Sequence, residues 1–220
     1  SISENETLPD VYYLILDEYA RSDALVKYHE FDNTEFLNFL ESKGFHVAEN
    51  SFANYPMSIQ SIPAIMNMQY MNFLADEIGS EVRNYKPLNE KDYGLYPNNQ
   101  VIKNFKEMGY GIVTFNTFAL HLHENPLSDI TVCYRNVHLL DNRLFDALSR
   151  TTMLGYFVER WAEAELRQAT VCGLDEFSKA GEKFDGPIFV WSHVMLPHPP
   201  WIFGSNGEHI TPGKPLLITD

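Results

Sequence analysis

Val11-Tyr12-Tyr13-Leu14-Ile15-Leu16-Asp17-Glu18 is the stretch that decides the fold. An unbroken apolar and aromatic run is opened by Pro9-Asp10 and closed by two acids. Such a run reads as a strand buried on both faces, the habit of parallel sheets. Downstream, Asn33 to Gly44 places Phe36, Leu37, Phe39 and Leu40 on one helical face, with Gly44 as a C-cap. Phe45-His46-Val47-Ala48 then returns as a strand, giving a β-α-β pattern.

Further along, a Met- and Ile-rich helix is expected from Pro56 to about Leu74. Residues 84 to 99 read as a loop, Asn99 to Met108 as a helix ended by Gly109, and Tyr110 to Phe115 as a buried strand. Residues 119 to 142 carry no decisive pattern. Leu144 to Leu166 and Leu174 to Lys183 read as two helices, and Ile188 to Met195 as a last strand ended by Pro197. Strands alternating with helices imply an α/β fold. The chain, 1–220, reads as a single domain with no internal repeat. Its last residues, Leu216 to Asp220, do not read as a finished element, so a continuation is expected.

Composition narrows the function. The chain has 220 residues, with 16 Lys+Arg against 30 Asp+Glu and a formal net charge of −14. Hydrophobic residues make up 45% and aromatics 14%, too rich for disorder. The acid excess argues against a nucleic-acid partner and against polybasic membrane binding. No apolar run approaches the roughly 18 residues of a spanning helix. Cys133 and Cys172 are too few for a disulfide scaffold or a Cys-based metal site; they can pair or stay free. The start Ser-Ile-Ser, without Met, reads as processed.

The chain contains no P-loop, no G-x-G-x-x-G after a strand and no G-x-S-x-G. In parallel α/β sheets, ligands gather beyond the carboxyl ends of the strands. Three places qualify. Asp17-Glu18 follows the first strand; carboxylates on a rigid element suit a cation, although Asp is also a common helix cap. Asn54-Tyr55-Pro56-Met57-Ser58-Ile59-Gln60-Ser61 puts hydroxyls at a helix start, where an anion is favoured and where Ser also serves as a cap. Pro63 is tolerable only near that start. His193-Val194-Met195-Leu196-Pro197-His198-Pro199-Pro200 carries one imidazole on a strand and another locked between prolines. His121-Leu122-His123 reads as a polar loop, Met66 to Met71 as core, and the apolar face from Leu144 to Trp161 as core more readily than a lipid contact.

Taken together, Tyr13 to Asp23, Asn54 to Ser61 and His193 to Pro200 resemble the alkaline phosphatase and sulfatase superfamily. The nearest likeness is to membrane-anchored sulfatase-like proteins, among them phosphoethanolamine transferases and lipoteichoic acid synthases. It runs from about Pro9 to Phe203. The resemblance implies a three-layer αβα sandwich, here its N-terminal part. It implies that Asp17 and Glu18 bind a divalent metal, zinc or manganese, with calcium or magnesium as alternatives. It implies that Ser58 is the nucleophile and a metal neighbour, and that His198, with His193, contacts the transferred group. Ser58 is followed by Ile59, Gln60 and Ser61, so the motif for formylglycine formation is absent. An unmodified hydroxyl acting on phosphate rather than sulfate esters is therefore expected.

The family places an Asp-His pair and a further His beyond the point where this chain stops. The expected partner is a phosphorylated or sulfated small molecule, lipid headgroup or glycan. The expected location is extracytoplasmic, in a bacterial protein tethered by an anchor upstream of Ser1. A catalytically silent binding domain of the same fold is the alternative.

Overall fold

The computed structural model describes residues 8–80, 98–115, 125–133, 152–199 and 201–210. Among these residues four parallel strands form one sheet: β1 (Val11–Leu16), β2 (Gly111–Phe115), β3 (Ile130–Val132) and β4 (Ile188–Val194). Their order is β1-β4-β2-β3, so the last strand in the chain lies between the first two. The helices are α1 (Ser22–His29), α2 (Thr34–Ser42), α3 (Ser58–Met66), α4 (Asn72–Ile78), α5 (Gln100–Glu107) and α6 (Leu154–Phe177). A 3₁₀ turn over Ala180–Lys183 leads into β4.

Strand parity builds the two faces. Phe189 and Trp191 of β4 join Ile112 of β2 and Val11, Tyr13 and Ile15 of β1 on one face. There Ile62 and Met66 of α3 and Ile102 of α5 cover them. Ile188 and Val190, with Val113 and Phe115, point the other way onto Phe177 at the end of α6, and onto Ala180 and Phe184. Burying each large aliphatic side chain in these clusters contributes about 1.5–3 kcal/mol. The mixed α/β architecture expected from the sequence is present, with helices on both faces.

The alternation of strand and helix is where the sequence reading holds; several element boundaries differ. Only β4 is buried along its whole length; β1 leaves Tyr12 at 40% and Leu14 at 38% exposure. The run Val11–Leu16 is therefore covered mainly on one face, where Val11, Tyr13 and Ile15 pack against the core under α3 and α5.

Phe45–Ala48 is not a strand. The helix α2 closes with Gly44 N–H on the Glu41 carbonyl and Phe45 N–H on the Leu40 carbonyl, and Gly44 takes φ +87°. This Schellman closure consumes Phe45 and turns the chain away from the sheet.

The expected helix from Pro56 to Leu74 is two helices. Met68 takes φ 52°, and Gln69 N–H bonds to the Ala64 carbonyl, which ends α3 with the same closure. Methionine rarely supplies a left-handed residue, so nothing in the sequence marks the break.

Conversely, α6 runs through Gly173, where two helices were expected. The helix continues through Gly173, and Thr170 within it donates its hydroxyl to the Leu166 carbonyl one turn back. The three-residue β3 falls within the stretch that carried no decisive pattern. Cys133, directly after β3, is bonded to Cys172 of α6, which settles the choice between paired and free cysteines. The 84–97 part of the expected loop, His121-Leu122-His123, Leu144 to Arg150 and Leu216 to Asp220 lie outside the described residues. No helix among the described residues is long and apolar enough to cross a membrane.

Candidate active site

The site follows from parity at the carboxyl edge of the sheet. In β1, Val11, Tyr13 and Ile15 face α3, and Asp17 continues the same alternation one step beyond the strand. In β4, Phe189 and Trp191 face α3, and His193 continues them. The register sets His193 opposite Ile15, and Asp17 N–H bonds to the Val194 carbonyl, so acid and imidazole are diagonal neighbours on one face. His193 Nε2 lies 3.3 Å from Asp17 Oδ2, with the two side chains 1% and 8% exposed.

The hydroxyl arrives from α3. Ser58, Ile62 and Met66 are spaced i, i+4, i+8, so they form one stripe. Ile62 and Met66 are buried against the sheet, and that packing aims Ser58 at the same edge. Ser58 Oγ donates to Asp17 Oδ1 at 2.5 Å, across 41 residues of sequence. The neighbouring Ser61 does different work. Its Oγ donates to the Tyr55 carbonyl at 2.9 Å and accepts from the Tyr55 N–H at 3.2 Å. Tyr55 in turn accepts the Met71 N–H at its hydroxyl. Ser61 is thus a clamp on the loop before α3, and Ser58 is the hydroxyl that reaches the acid. Pro63 lies inside α3, five positions after Ser58 rather than at the helix start, and its carbonyl accepts from Asn67.

Burial on its own would raise the Asp17 carboxyl. The facing imidazole of His193 and the Ser58 hydroxyl, with a further contribution from His198, outweigh burial and hold the carboxyl below the ordinary aspartate range. His193 is less well served. Neither ring nitrogen makes a well-formed hydrogen bond among the described residues, and the Ser192 hydroxyl has no partner there either. A buried imidazole without hydrogen bonds is costly unless something else meets it.

Glu18 and His198 form a second pair. Glu18 takes φ 63°, which swings its side chain away from the path of β1. His198 Nε2 lies 3.3 Å from Glu18 Oε1, with exposures of 34% and 54%. His198 Nδ1 is held close to the Pro199 carbonyl, and the Trp201 indole donates to the Pro197 carbonyl at 2.9 Å. The chain beyond is tied to α6. Arg167 donates to the Ile202 carbonyl at 2.7 Å and stacks over Phe203, and buried Glu163 meets both Arg160 and His209. The structure therefore brings Asp17, Ser58 and His193 into one cluster and sets Glu18 and His198 at its exposed margin. Sequence reasoning did not single out the anchors Glu163 and Arg167, which carry no motif of their own, and gave Tyr55 no role within Asn54–Ser61.

Asp17, Ser58 and His193 offer a mixed oxygen and nitrogen donor set, the kind that suits zinc or manganese. The buried imidazole, which faces Asp17 but makes no well-formed hydrogen bond among the described residues, is the observation that fits such an ion. Among the described residues no group of three or more His, Cys, Asp or Glu is gathered to hold a metal, so the cluster is a partial set that counts the hydroxyl. No family model, no curated protein and no solved structure matches the chain.

Proposed function

We propose that the chain carries the nucleophile-bearing part of a metal-dependent phosphoester hydrolase or phosphotransferase of the alkaline phosphatase and sulfatase type. The observation that carries the reading is the 2.5 Å contact between Ser58 and the buried Asp17. A serine hydroxyl pointed at a carboxylate kept ionised has its lone pairs free to face a substrate. Asp17 orients the proton of Ser58. Asp17, Ser58 and His193 would hold a divalent cation, with Glu18 close by at the margin. When bound, the ion would lower the pKa of the hydroxyl and offset charge on the phosphoryl oxygens.

Ser58 Oγ forms a bond to phosphorus as the ester oxygen leaves, and the serine proton ends on that leaving oxygen. The covalent phosphoserine is then resolved by water or by an acceptor hydroxyl, which delivers its own proton to Ser58. His198, half-buried between Pro197 and Pro199, would steady the phosphoryl oxygens. The substrate class is a phosphorylated small molecule, lipid headgroup or glycan. The Cys133–Cys172 disulfide supports an extracytoplasmic location, since such bonds persist in oxidising compartments.

The test is turnover of bis(4-nitrophenyl) phosphate by the full protein with zinc or manganese. Ser58→Ala is expected to abolish it, and intact mass should show phosphate on the wild type alone. Full activity in Ser58→Ala ends the assignment and leaves the silent binding domain. Product in proportion to an added acceptor alcohol separates transferase from hydrolase.

A further inference from the structure

We infer that Arg21 is a positioning residue for Ser58, bracing from the start of α1 the segment that delivers the hydroxyl to Asp17. The inference rests on the reading of Ser58 as nucleophile. Its physical ground is the poverty of that segment. Residues 45–57 contain no helix or strand and no buried residue; only Val47 and Tyr55 are half-buried. Packing of Ile62 and Met66 sets the direction of α3, but hydrophobic burial does little to fix the segment ahead of it, and fixed points there must come from polar contacts.

Two fixed points are present. Tyr55, bonded to Ser61 and Met71, ties the segment to its own downstream helices. Arg21 ties it to the strand that carries Asp17. The guanidinium is first oriented by Asp23, with Nε to Oδ1 at 2.7 Å and Nη2 to Oδ2 at 2.8 Å. That fork fixes the plane and leaves Nη1, which donates to the Ser51 carbonyl at 3.0 Å. The face of the same group lies 4.5 Å from the centre of the Phe52 ring, which is otherwise open to solvent.

One residue thus combines a bidentate fork, a backbone hydrogen bond and a cation–π contact, a set that lysine cannot reproduce. Arg21 follows the end of β1 by way of the left-handed turn at Glu18, so the brace and Asp17 both lead back to the end of that strand. Through Arg21, the position of Ser51 and Phe52 is referred to Asp17, and the path to Ser58 is held from the partner it must meet. Exposed pairs contribute little to global stability, so the consequence is local.

The experiment compares wild type, Arg21→Gln, Arg21→Lys, Asp23→Asn and Ser58→Ala in the full protein. Turnover of bis(4-nitrophenyl) phosphate is read beside deuterium exchange of the 48–58 amides. Arg21→Gln is expected to lower kcat about 10- to 100-fold with KM within about twofold, because misplacing a reacting group costs rate more than binding. Exchange in 51–57 should quicken while β1 and β4 stay protected. Arg21→Lys should restore little, and Asp23→Asn should fall between.

Unchanged exchange and unchanged kcat in Arg21→Gln overturn the brace. If Ser58→Ala turns over normally, the nucleophile reading fails, and the exchange data still judge whether Arg21 holds the segment. Should Arg21→Gln not fold, Arg21→Lys and Asp23→Asn carry the same comparison.

Discussion

Two consecutive acids each meet a histidine at 3.3 Å, and the pairs have little else in common. Asp17 and His193 sit under α3, almost without exposure. Glu18 and His198 stand at the margin in contact with water. Coulomb attraction at a given separation is several-fold stronger where solvent is excluded, and the desolvation penalty rises with it. The inner pair is therefore a committed arrangement whose members depend on one another. The outer pair can part and re-form to meet a ligand at small cost. The backbone decides which acid goes where: Asp17 keeps the parity of β1, and the left-handed turn at Glu18 breaks it.

Substitutions can break this contrast. The largest effect is expected in catalysis. Asp17→Asn should lower turnover about 10²- to 10⁴-fold, whereas His198→Ala should cost about 10- to 100-fold, as measured by initial rates with saturating metal. An equal loss from both would erase the difference in role. Stability should then separate the pairs in the same direction. His193→Ala takes the facing imidazole from the buried Asp17 carboxylate, leaves it the Ser58 hydroxyl and opens a cavity, and is expected to cost about 2–4 kcal/mol in urea unfolding. His198→Ala should stay within about 0.5 kcal/mol.

Removing the Cys133–Cys172 bond sharpens the comparison from a different part of the molecule. The double Cys→Ser variant should lose about 2–4 kcal/mol of stability, while its rate per folded molecule is unchanged. A loss of rate at full folding would show that the disulfide reaches the site.

The smallest effect is in pH dependence. Asp17 is held below the ordinary aspartate value in the fold, so the unfolded chain binds its proton first as pH falls. Its stabilising contribution is full above about pH 4, the unfolded value, and fades as pH drops through the lower folded one. Urea midpoints of wild type and Asp17→Asn should therefore converge on acidification from neutral pH. Midpoints that stay equally spaced down to pH 2 would contradict the depressed carboxyl.

Much of the inner cluster was legible before the structure. Apolar runs at Val11–Leu16 and Ile188–Met195 located the strands, and alternation carries each run onto Asp17 and His193. The helix start at Ser58 was visible from the Pro56 region, and the i, i+4 stripe to Ile62 aims it. Choosing Ser58 over Ser61 was not legible from capping rules alone, since both hydroxyls suit a helix start. The contact that separates them, Ser61 folded onto Tyr55, is tertiary. The left-handed turn at Met68 was hidden for a comparable reason, because its side chain gives no local signal. Arg160, Glu163 and Arg167 were opaque because an α6 side chain gains its meaning only from the segment docked on it.

The placement of β4 between β1 and β2 has a consequence for how the molecule is made. Among the described strands β1 pairs with β4 alone, and the contact that aligns their starts, Asp10 with the Ile188 N–H, spans 178 residues. As the chain emerges from the ribosome, β1 must wait for the 178 residues that separate Asp10 from Ile188 before it finds this neighbour. Long-range parallel pairing of this kind is slow and leaves an apolar edge open meanwhile. The two sides of the inner acid–histidine pair are synthesised at opposite ends of that interval, so the site cannot assemble until β4 has been made.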